Sequence, residues 1–209
     1  MTIKKMSRKD LINKIGQYPT GNICNAHNKV MAMDSRIASI SSGMKLSGSA
    51  KTVAIIPGQN AAIHRAVHNA RPGDVLVVDG KKSLSYGPFG DILATCSQNL
   101  GLSGLVIDGT IRDSSEIVDL GFSVFSLGTH PTATEKTDPG EIDIPIVCGD
   151  VNVYPDDIII ADDDGVVVIP NLLLEEVFLG LMTVVENEKK IMKRLRSGET
   201  TCEIFKIKT

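Results

Sequence analysis

Residues 104–115 read GLVIDGTIRDSS. The first six are almost wholly apolar, which marks a strand buried on both faces. SSEIVDLG (114–121) then has helical spacing and ends on a glycine stop. The stretch is therefore the junction of a buried strand and a helix, and it carries Arg112 and Asp113 side by side. The same rhythm stands just upstream. VLVVDG (75–80) is another buried strand, KKSLSYGPFG (81–90) a glycine-rich loop, and DILATCSQNLG (91–101) a helix with Asp91 at its start and Gly101 as its stop. FSVFSLG (122–128) is the next strand. Strand, loop and helix occur twice in succession and lead into a third strand, the pattern of parallel pairing with helical crossovers. The fold class is α/β.

Further out, residues 7–16 predict a short helix, and YPTGNICNAH (18–27) starts a second after Pro19 and Thr20. KTVAIIP (51–57) predicts a strand, and NAAIHRAVHNA (60–70) a helix that stops before the Pro72-Gly73 turn. Residues 141–170 hold short apolar runs and turn signals with no room for a helix, so they predict a β-rich meander or barrel-like section. Residues 171–198 are helical by spacing and charge. PGDVLVVDG (72–80) echoes PDDIIIADDDG (155–165), which reads as recurrent turn chemistry rather than duplication.

With 209 residues, the chain is expected to form one domain over 1–209, with helices at both ends. Its 42% apolar and 22% charged content is ordinary for a globular protein. Tryptophan is absent and aromatics are 4%, so the core must be aliphatic. A net charge of −3 leaves no footprint for nucleic acid. The basic ends, KKMSRKD and KKIMKRLR, read as solvated helix faces. Cys24, Cys96, Cys148 and Cys202 are far apart, which argues against a zinc ribbon or a disulfide framework. No signal peptide or membrane span is apparent, so the expected setting is the reducing cytoplasm.

Three features weigh as sites. Asp113 lies directly before a helix, with Glu116 three residues later, which is the spacing of a capping box. Capping and ligand binding both remain open on that spacing. Arg112 has no capping duty, because a cation at a helix N-terminus opposes the macrodipole. It makes sense if it serves an anion, with the acid beside it holding a cation. The loop YGPFGDI leads into another helix start, where free N–H groups bind carboxylates or phosphates. Gly87 and Gly90 would let backbone approach a ligand. Both loops leave the carboxyl ends of successive strands, the edge where α/β sheets gather ligands. His64 and His68 are four residues apart and read as one helix face; ADDDG (161–165) reads as an acidic turn between strands. His130, in GTHP, stays open between ligand and structure. Neither a P-loop nor a Rossmann glycine fingerprint is present.

GPFGDILAT (87–95), GLVIDGTIRD (104–113), FSLGTHP (125–131) and DDDGVVVIP (162–170) together resemble the RraA-like family, over residues 20 to 195. That family includes 4-hydroxy-4-methyl-2-oxoglutarate / 4-carboxy-4-hydroxy-2-oxoadipate aldolases and the regulator of ribonuclease E activity A. The resemblance implies a swivelling β/β/α-type sandwich, assembled as a homotrimer or as a hexamer of two trimers. It implies a lyase that cleaves a 4-hydroxy-2-oxo di- or tricarboxylic acid to pyruvate, with oxaloacetate decarboxylation as a side activity. Gly90, Asp91, Ile92 and Leu93 would bind the small oxo acid, with Arg112. Asp113 would ligate Mg²⁺ or Mn²⁺, and Asp91 would hold waters around that ion; Arg112 and Asp91 would be the catalytic pair. Asn25 in ICNAH stands where relatives carry an acid, and Glu186 or Glu188 could supply the base across a subunit interface. The alternative is a non-catalytic regulator that binds a ribonuclease or helicase. Neither reading involves nucleic acid or a membrane as a direct partner.

Overall fold

The computed structural model describes residues 6–208. Its elements in chain order begin with α1 (Arg8–Ile15), α2 (Thr20–Ala26), β1 (Met31–Ala32), β2 (Ala38–Ser39), β3 (Leu46–Ala54) and α3 (Ala61–His68). Next come β4 (Asp74–Ser83), α4 (Asp91–Asn99), β5 (Gly104–Gly109), α5 (Ser114–Leu120) and β6 (Val124–Ser126). The second half contributes β7 (Glu141–Ile142), β8 (Ile146–Cys148), β9 (Val151–Val153), β10 (Ile158–Asp162), β11 (Gly165–Ile169), α6 (Leu174–Arg196) and α7 (Thr201–Phe205).

One large mixed sheet runs β1-β11-β10-β3-β4-β5-β6-β2, with β7 paired to β3. Its centre, β3 to β6, is parallel. The flanking pairs are antiparallel. β8 and β9 form a separate hairpin.

Alternation along the strands explains the layers. Val75, Val77 and Val106 face one side, in a core shared with Ile146, Val151 and Val153 of the hairpin. Leu76, Val78, Leu105 and Ile107 face the other, against Ile63 and Val67 of α3, Leu93 of α4 and Ile117 of α5. At the β10–β11 end, Ile158, Ile160 and Val167 pack on α1, α2 and α6 through Ile15, Ile23 and Val177. Hairpin, sheet and helices thus stack in β/β/α order. Because strands buried on both faces need apolar residues at every position, the near-continuous runs in β4 and β5 were readable as such.

The helices and strands between 60 and 128 fall where the spacing predicts. β4 runs further than expected, to Ser83, with a register shift between Val78 and Ser83. β3 begins at Leu46, ahead of the predicted KTVAIIP, because its polar residues pair with β10 rather than pack by pattern. β6 is shorter than FSVFSLG suggested. The strands β1 and β2 and the helix α7 were not foreseen. The acidic turn at 161–165 does connect two strands: Asp162 accepts hydrogen bonds from Thr20 N and Oγ1 at 2.9 and 2.6 Å and so pins α2 to the sheet. Nor is the N-terminal basic run simply solvated. Arg8 Nη1 donates to Ser49 Oγ at 2.6 Å and Nη2 to the Asp156 carbonyl at 2.6 Å, clamping α1 onto β3; Lys4 and Lys5 lie outside the described residues. All four cysteines are free thiols. No helix among the described residues is long and apolar enough to cross a membrane.

Candidate active site

The parallel strands β4 and β5 deliver their following loops to one edge of the sheet. Phe89 sets the glycine-rich loop. Its ring is fully buried and stacks on Phe122 with centroids 6.0 Å apart. Its carbonyl accepts a hydrogen bond from Arg112 N at 2.9 Å, which ties this loop to the β5–α5 junction. Thr110 adds a second tie, its hydroxyl donating to the Tyr86 carbonyl at 2.7 Å.

The loop from Gly128 to Gly140 straps across both. His130 N donates to Ile111 O at 2.8 Å, and Gly87 N donates to Thr132 O at 2.8 Å. Glu135 N donates to Gly58 O, and Asn60 N to Glu135 O. Gln59 Oε1 accepts from Thr137 N and Asp138 N, both at 3.0 Å.

These ties enclose a cleft of about 210 Å³. It is lined by Gly90, Asp91, Ile92, Leu93 and Arg112, together with Asn60 and His64 of the α3 start and Lys136 from the strap. The structure thus brings together every residue expected to bind an oxo acid. Asp113 lies behind Gly90. Its Oδ2 is 3.2 Å from Arg112 Nε and accepts a long 3.4 Å bond from Asp91 N. The Arg112 and Asp113 side chains are 34% and 33% exposed, so a ligand can reach both.

The proposed capping role of Asp113 is overturned. Its backbone is left-handed, φ 54° and ψ 42°, and its side chain makes no cap hydrogen bond. A capping residue needs extended backbone to turn its side chain back onto the helix N–H groups. Glu116 accepts instead from the Ser115 hydroxyl at 2.9 Å. A left-handed residue with a β-carbon carries about 1–2 kcal/mol of strain, eased for Asp. Here that conformation delivers the carboxylate to Arg112 and to the start of α4.

Gly87 and Gly90 serve the junction as much as any ligand. A β-carbon on Gly90 would lie 2.4 Å from Asp113 Oδ2, and one on Gly87 would lie 2.6 Å from the His130 carbonyl. Two donors at the α4 start are already engaged, since Ile92 N donates to Asp91 Oδ1 at 2.7 Å and Asp91 N to Asp113. The N–H groups of Gly90 and Leu93 make no hydrogen bond among the described residues, and neither do the terminal nitrogens of Arg112.

Among the described residues there is no group of three or more His, Cys, Asp or Glu able to hold a metal. Asp113 and Asp91 each keep one carboxylate oxygen without a hydrogen bond among those residues. Few ligands, all oxygen, fit a hard divalent cation that keeps most of its water. The set does not fit a structural zinc ion.

Three cleft residues escaped the sequence. His64 was read with His68 as one helix face, yet His64 lines the cleft and His68 does not. Burial, and secondarily the nearby Lys136 charge, hold the His64 imidazole below its ordinary pKa. Asn60 donates to the Pro88 carbonyl at 2.9 Å, while its Oδ1 is buried without a partner. Lys136 carried no pattern at all. His130 does not line the cleft; its Nδ1 accepts from Thr132 N at 3.2 Å, a structural role. Glu186 pairs with Lys190, and Glu188 accepts from Asn22 Nδ2 at 2.5 Å; neither glutamate lines the cleft of its own chain, nor does Asn25.

A β/β/α sandwich whose cleft joins a helix start, an arginine and Asp91, with Asp113 paired to that arginine behind it, defines the class of protein. The comparisons agree with it. The profile of the RraA-like family, described as Aldolase/RraA, matches residues 20–168. A protein of Halalkalibacterium halodurans provisionally named 4-hydroxy-4-methyl-2-oxoglutarate aldolase is 37% identical over 161 residues, 77% of each chain. The solved structure of a Geobacillus kaustophilus protein named S-adenosylmethionine:2-dimethylmenaquinone methyltransferase is 33% identical with a TM-score of 0.71, covering 76% of this chain and 98% of that one. That of the RNA-processing inhibitor RraA from Thermus thermophilis is 26% identical with a TM-score of 0.69, covering 73% and 93%. The chain belongs to the RraA-like family.

Proposed function

We propose that this cleft cleaves 4-hydroxy-2-oxo di- or tricarboxylic acids to pyruvate with the help of Mg²⁺ or Mn²⁺, and that it also decarboxylates oxaloacetate. The observation that carries the reading is the convergence of the α4 start and Arg112 at one small cleft, with Asp113 paired to Arg112 behind it. Its volume is below the roughly 300–1,000 Å³ of pockets for drug-sized ligands. It suits a short acid.

The reaction breaks the C3–C4 bond. The 4-hydroxyl loses its proton and its oxygen becomes the carbonyl of the second product. The bond's electron pair moves into the pyruvate unit as an enolate, which takes a proton at C3. Loss of CO₂ from oxaloacetate leaves the same enolate, so one set of residues serves both.

Arg112 pairs through Nε with Asp113, which leaves its terminal nitrogens free for a ligand. They stabilise the negative charge that grows on the keto oxygen. The free N–H groups of Gly90 and Leu93 suit the carboxylate of the same acid. The long Asp91–Asp113 contact gives way to it readily. Asp113, with Asp91 beside it, would hold a divalent cation, which when bound supplies Lewis-acid stabilisation of the enolate.

Pyruvate release tests this, with 4-hydroxy-4-methyl-2-oxoglutarate, 4-carboxy-4-hydroxy-2-oxoadipate and oxaloacetate as substrates. Release with Mg²⁺ or Mn²⁺ that is lost with EDTA is the expected result. No metal-dependent release from any of the three overturns the reading. The Thermus relative is by its name an RNA-processing inhibitor, which favours a second reading; for this chain that reading is a regulator that binds a ribonuclease or helicase. An inert protein that retains such a partner in a pull-down would establish that instead.

A further inference from the structure

A second recess lies at the other edge of the sheet. β3, β4 and β5 run parallel, so the candidate active site follows their ends and this recess sits at their starts. It has a volume of about 240 Å³ and shares no lining residue with the cleft. α1 lines it with Arg8 and Lys9, β3 with Ser47 and Ser49, and the turn into β4 with Arg71 and Asp74. The family profile matches residues 20–168, so Arg8 and Lys9 stand outside that stretch.

The charge of the recess is unbalanced. Arg8 donates to Ser49 Oγ at 2.6 Å, to the Asp156 carbonyl at 2.6 Å and to Asn171 Oδ1 at 2.9 Å, all neutral acceptors. These bonds fix the guanidinium without neutralising it. Lys9 makes no ion pair or side-chain hydrogen bond among the described residues. The Arg71 side chain reaches Asp156 at a long 3.4 Å and is 76% exposed. Three cations and one carboxylate, Asp74, thus line a recess in a chain whose net charge is −3. Such an excess suits a dianion.

Asp74 adds a second chemical character. It is 8% exposed. Its Oδ2 accepts from Arg71 N at 2.8 Å, while its Oδ1 has no hydrogen bond among the described residues. Burial pushes its pKa up, against the opposing pull of the Arg71 N–H and charge. A carboxylate oxygen so placed is costly to leave without a donor, and a ligand hydroxyl would supply one. Ser49 is the register partner of Asp74 on the neighbouring strand. Its hydroxyl accepts from Arg8 and keeps its own proton to donate.

We propose that this recess binds a small phosphate monoester that carries hydroxyl groups, with its phosphate on Arg8, Lys9 and Arg71 and a hydroxyl on Asp74. A phosphate monoester bears about −1.5 to −2 charges at neutral pH and offers three acceptor oxygens, which matches three cations better than one carboxylate does. Its hydroxyl distinguishes it from inorganic phosphate, which has no carbon chain to reach Asp74.

Calorimetry on the full chain tests this, with EDTA present and three probes: sn-glycerol 3-phosphate, inorganic phosphate and glycerol. The native chain is expected to bind glycerol 3-phosphate about fivefold to tenfold more tightly than phosphate, the scale of one hydrogen bond to a charged group, and glycerol not measurably. Lys9→Gln and Arg71→Gln, both at exposed positions, should each weaken both phosphates about fivefold with the thermal midpoint unchanged. Asp74→Asn should narrow the preference for the ester to about twofold or less. Arg112→Gln should leave all three unchanged. No binding of glycerol 3-phosphate by the native chain overturns the proposal, as does binding that both Lys9→Gln and Arg71→Gln leave untouched. Loss of binding in Arg112→Gln overturns it too, by placing the ester in the cleft. Phosphate bound as tightly as its ester also overturns it, because the recess would then only collect anions.

Discussion

Two helix starts in this molecule share a spacing and behave in opposite ways. Thr200 precedes α7, with Glu203 three residues on; Asp113 precedes α5, with Glu116 three residues on. At α7 the capping box forms in full. Thr200 Oγ1 accepts from Glu203 N at 3.3 Å, and Glu203 Oε2 accepts from Thr200 N at 2.8 Å. At α5 neither half forms. The difference lies in the backbone. Thr200 is extended, φ −90° and ψ 160°, while Asp113 is left-handed. A helix start that forgoes a cap worth about 0.5–2 kcal/mol, and adopts a strained conformation as well, has its side chain committed elsewhere. At Asp113 that commitment is to Arg112 and to the start of α4. Local rules that fail at one place mark function more sharply than rules that hold.

The comparison can be broken most strongly at Asp113 itself. Asp113→Asn removes the charge but keeps a residue that tolerates left-handed backbone. Metal-dependent pyruvate release should fall about 10²-fold or more, while the thermal midpoint stays within a few degrees. Substantial activity in that variant would remove Asp113 from the site. Ala is the poorer choice, because it adds backbone strain to the loss of the carboxylate.

Gly90→Ala probes the same carboxylate without altering it. Gly90 is extended, φ −140° and ψ −170°, so alanine is allowed there by backbone. Its β-carbon must push Asp113 Oδ2 aside. Turnover should fall by about 10- to 100-fold for a displacement of this size, with circular dichroism unchanged. Wild-type turnover would show that the position of Asp113 is not critical.

The smallest effects sharpen the contrast between the two glutamates. Thr200→Ala should raise amide exchange across 201–205 by about 1 kcal/mol of lost protection. Glu116→Ala should change urea stability by less than about 0.5 kcal/mol, since no cap is there to lose. A cost near 1 kcal/mol at Glu116 would mean that the box forms in solution.

The parallel core was legible because burial on both faces forces apolar runs, and VLVVDG and GLVIDG have almost no other reading. The glycine stops at Gly101 and Gly121 closed their helices as expected, both with positive φ. The meeting of the two loops was legible for a related reason: Gly90 to Leu93 and Arg112-Asp113 lie on the loops that leave those neighbouring strands. What failed was polar and short. The first half of β3, LSGSA, holds only small and polar residues after Leu46. Its place in the sheet comes from β10, which is far away in sequence. The helix α7 is five residues long and buries none of them, so no apolar stripe announces it.

By itself, then, the chain's sequence determined that β4 and β5 are buried parallel strands, and that their loops carry Gly90 and the Arg112-Asp113 pair to one edge of the sheet. Strand burial and turn chemistry act over a few neighbouring residues, and such short-range constraints are written in local pattern. Tertiary structure alone decided that Asp113 turns away from its helix, that His64 rather than His68 lines the cleft, and that Lys136 joins it there. Each depends on a hydrogen bond or a close approach between segments distant in the chain, such as Asn60 with Glu135 or Gly90 with Asp113. No periodicity records a contact of that kind, because its geometry exists only once both segments are packed.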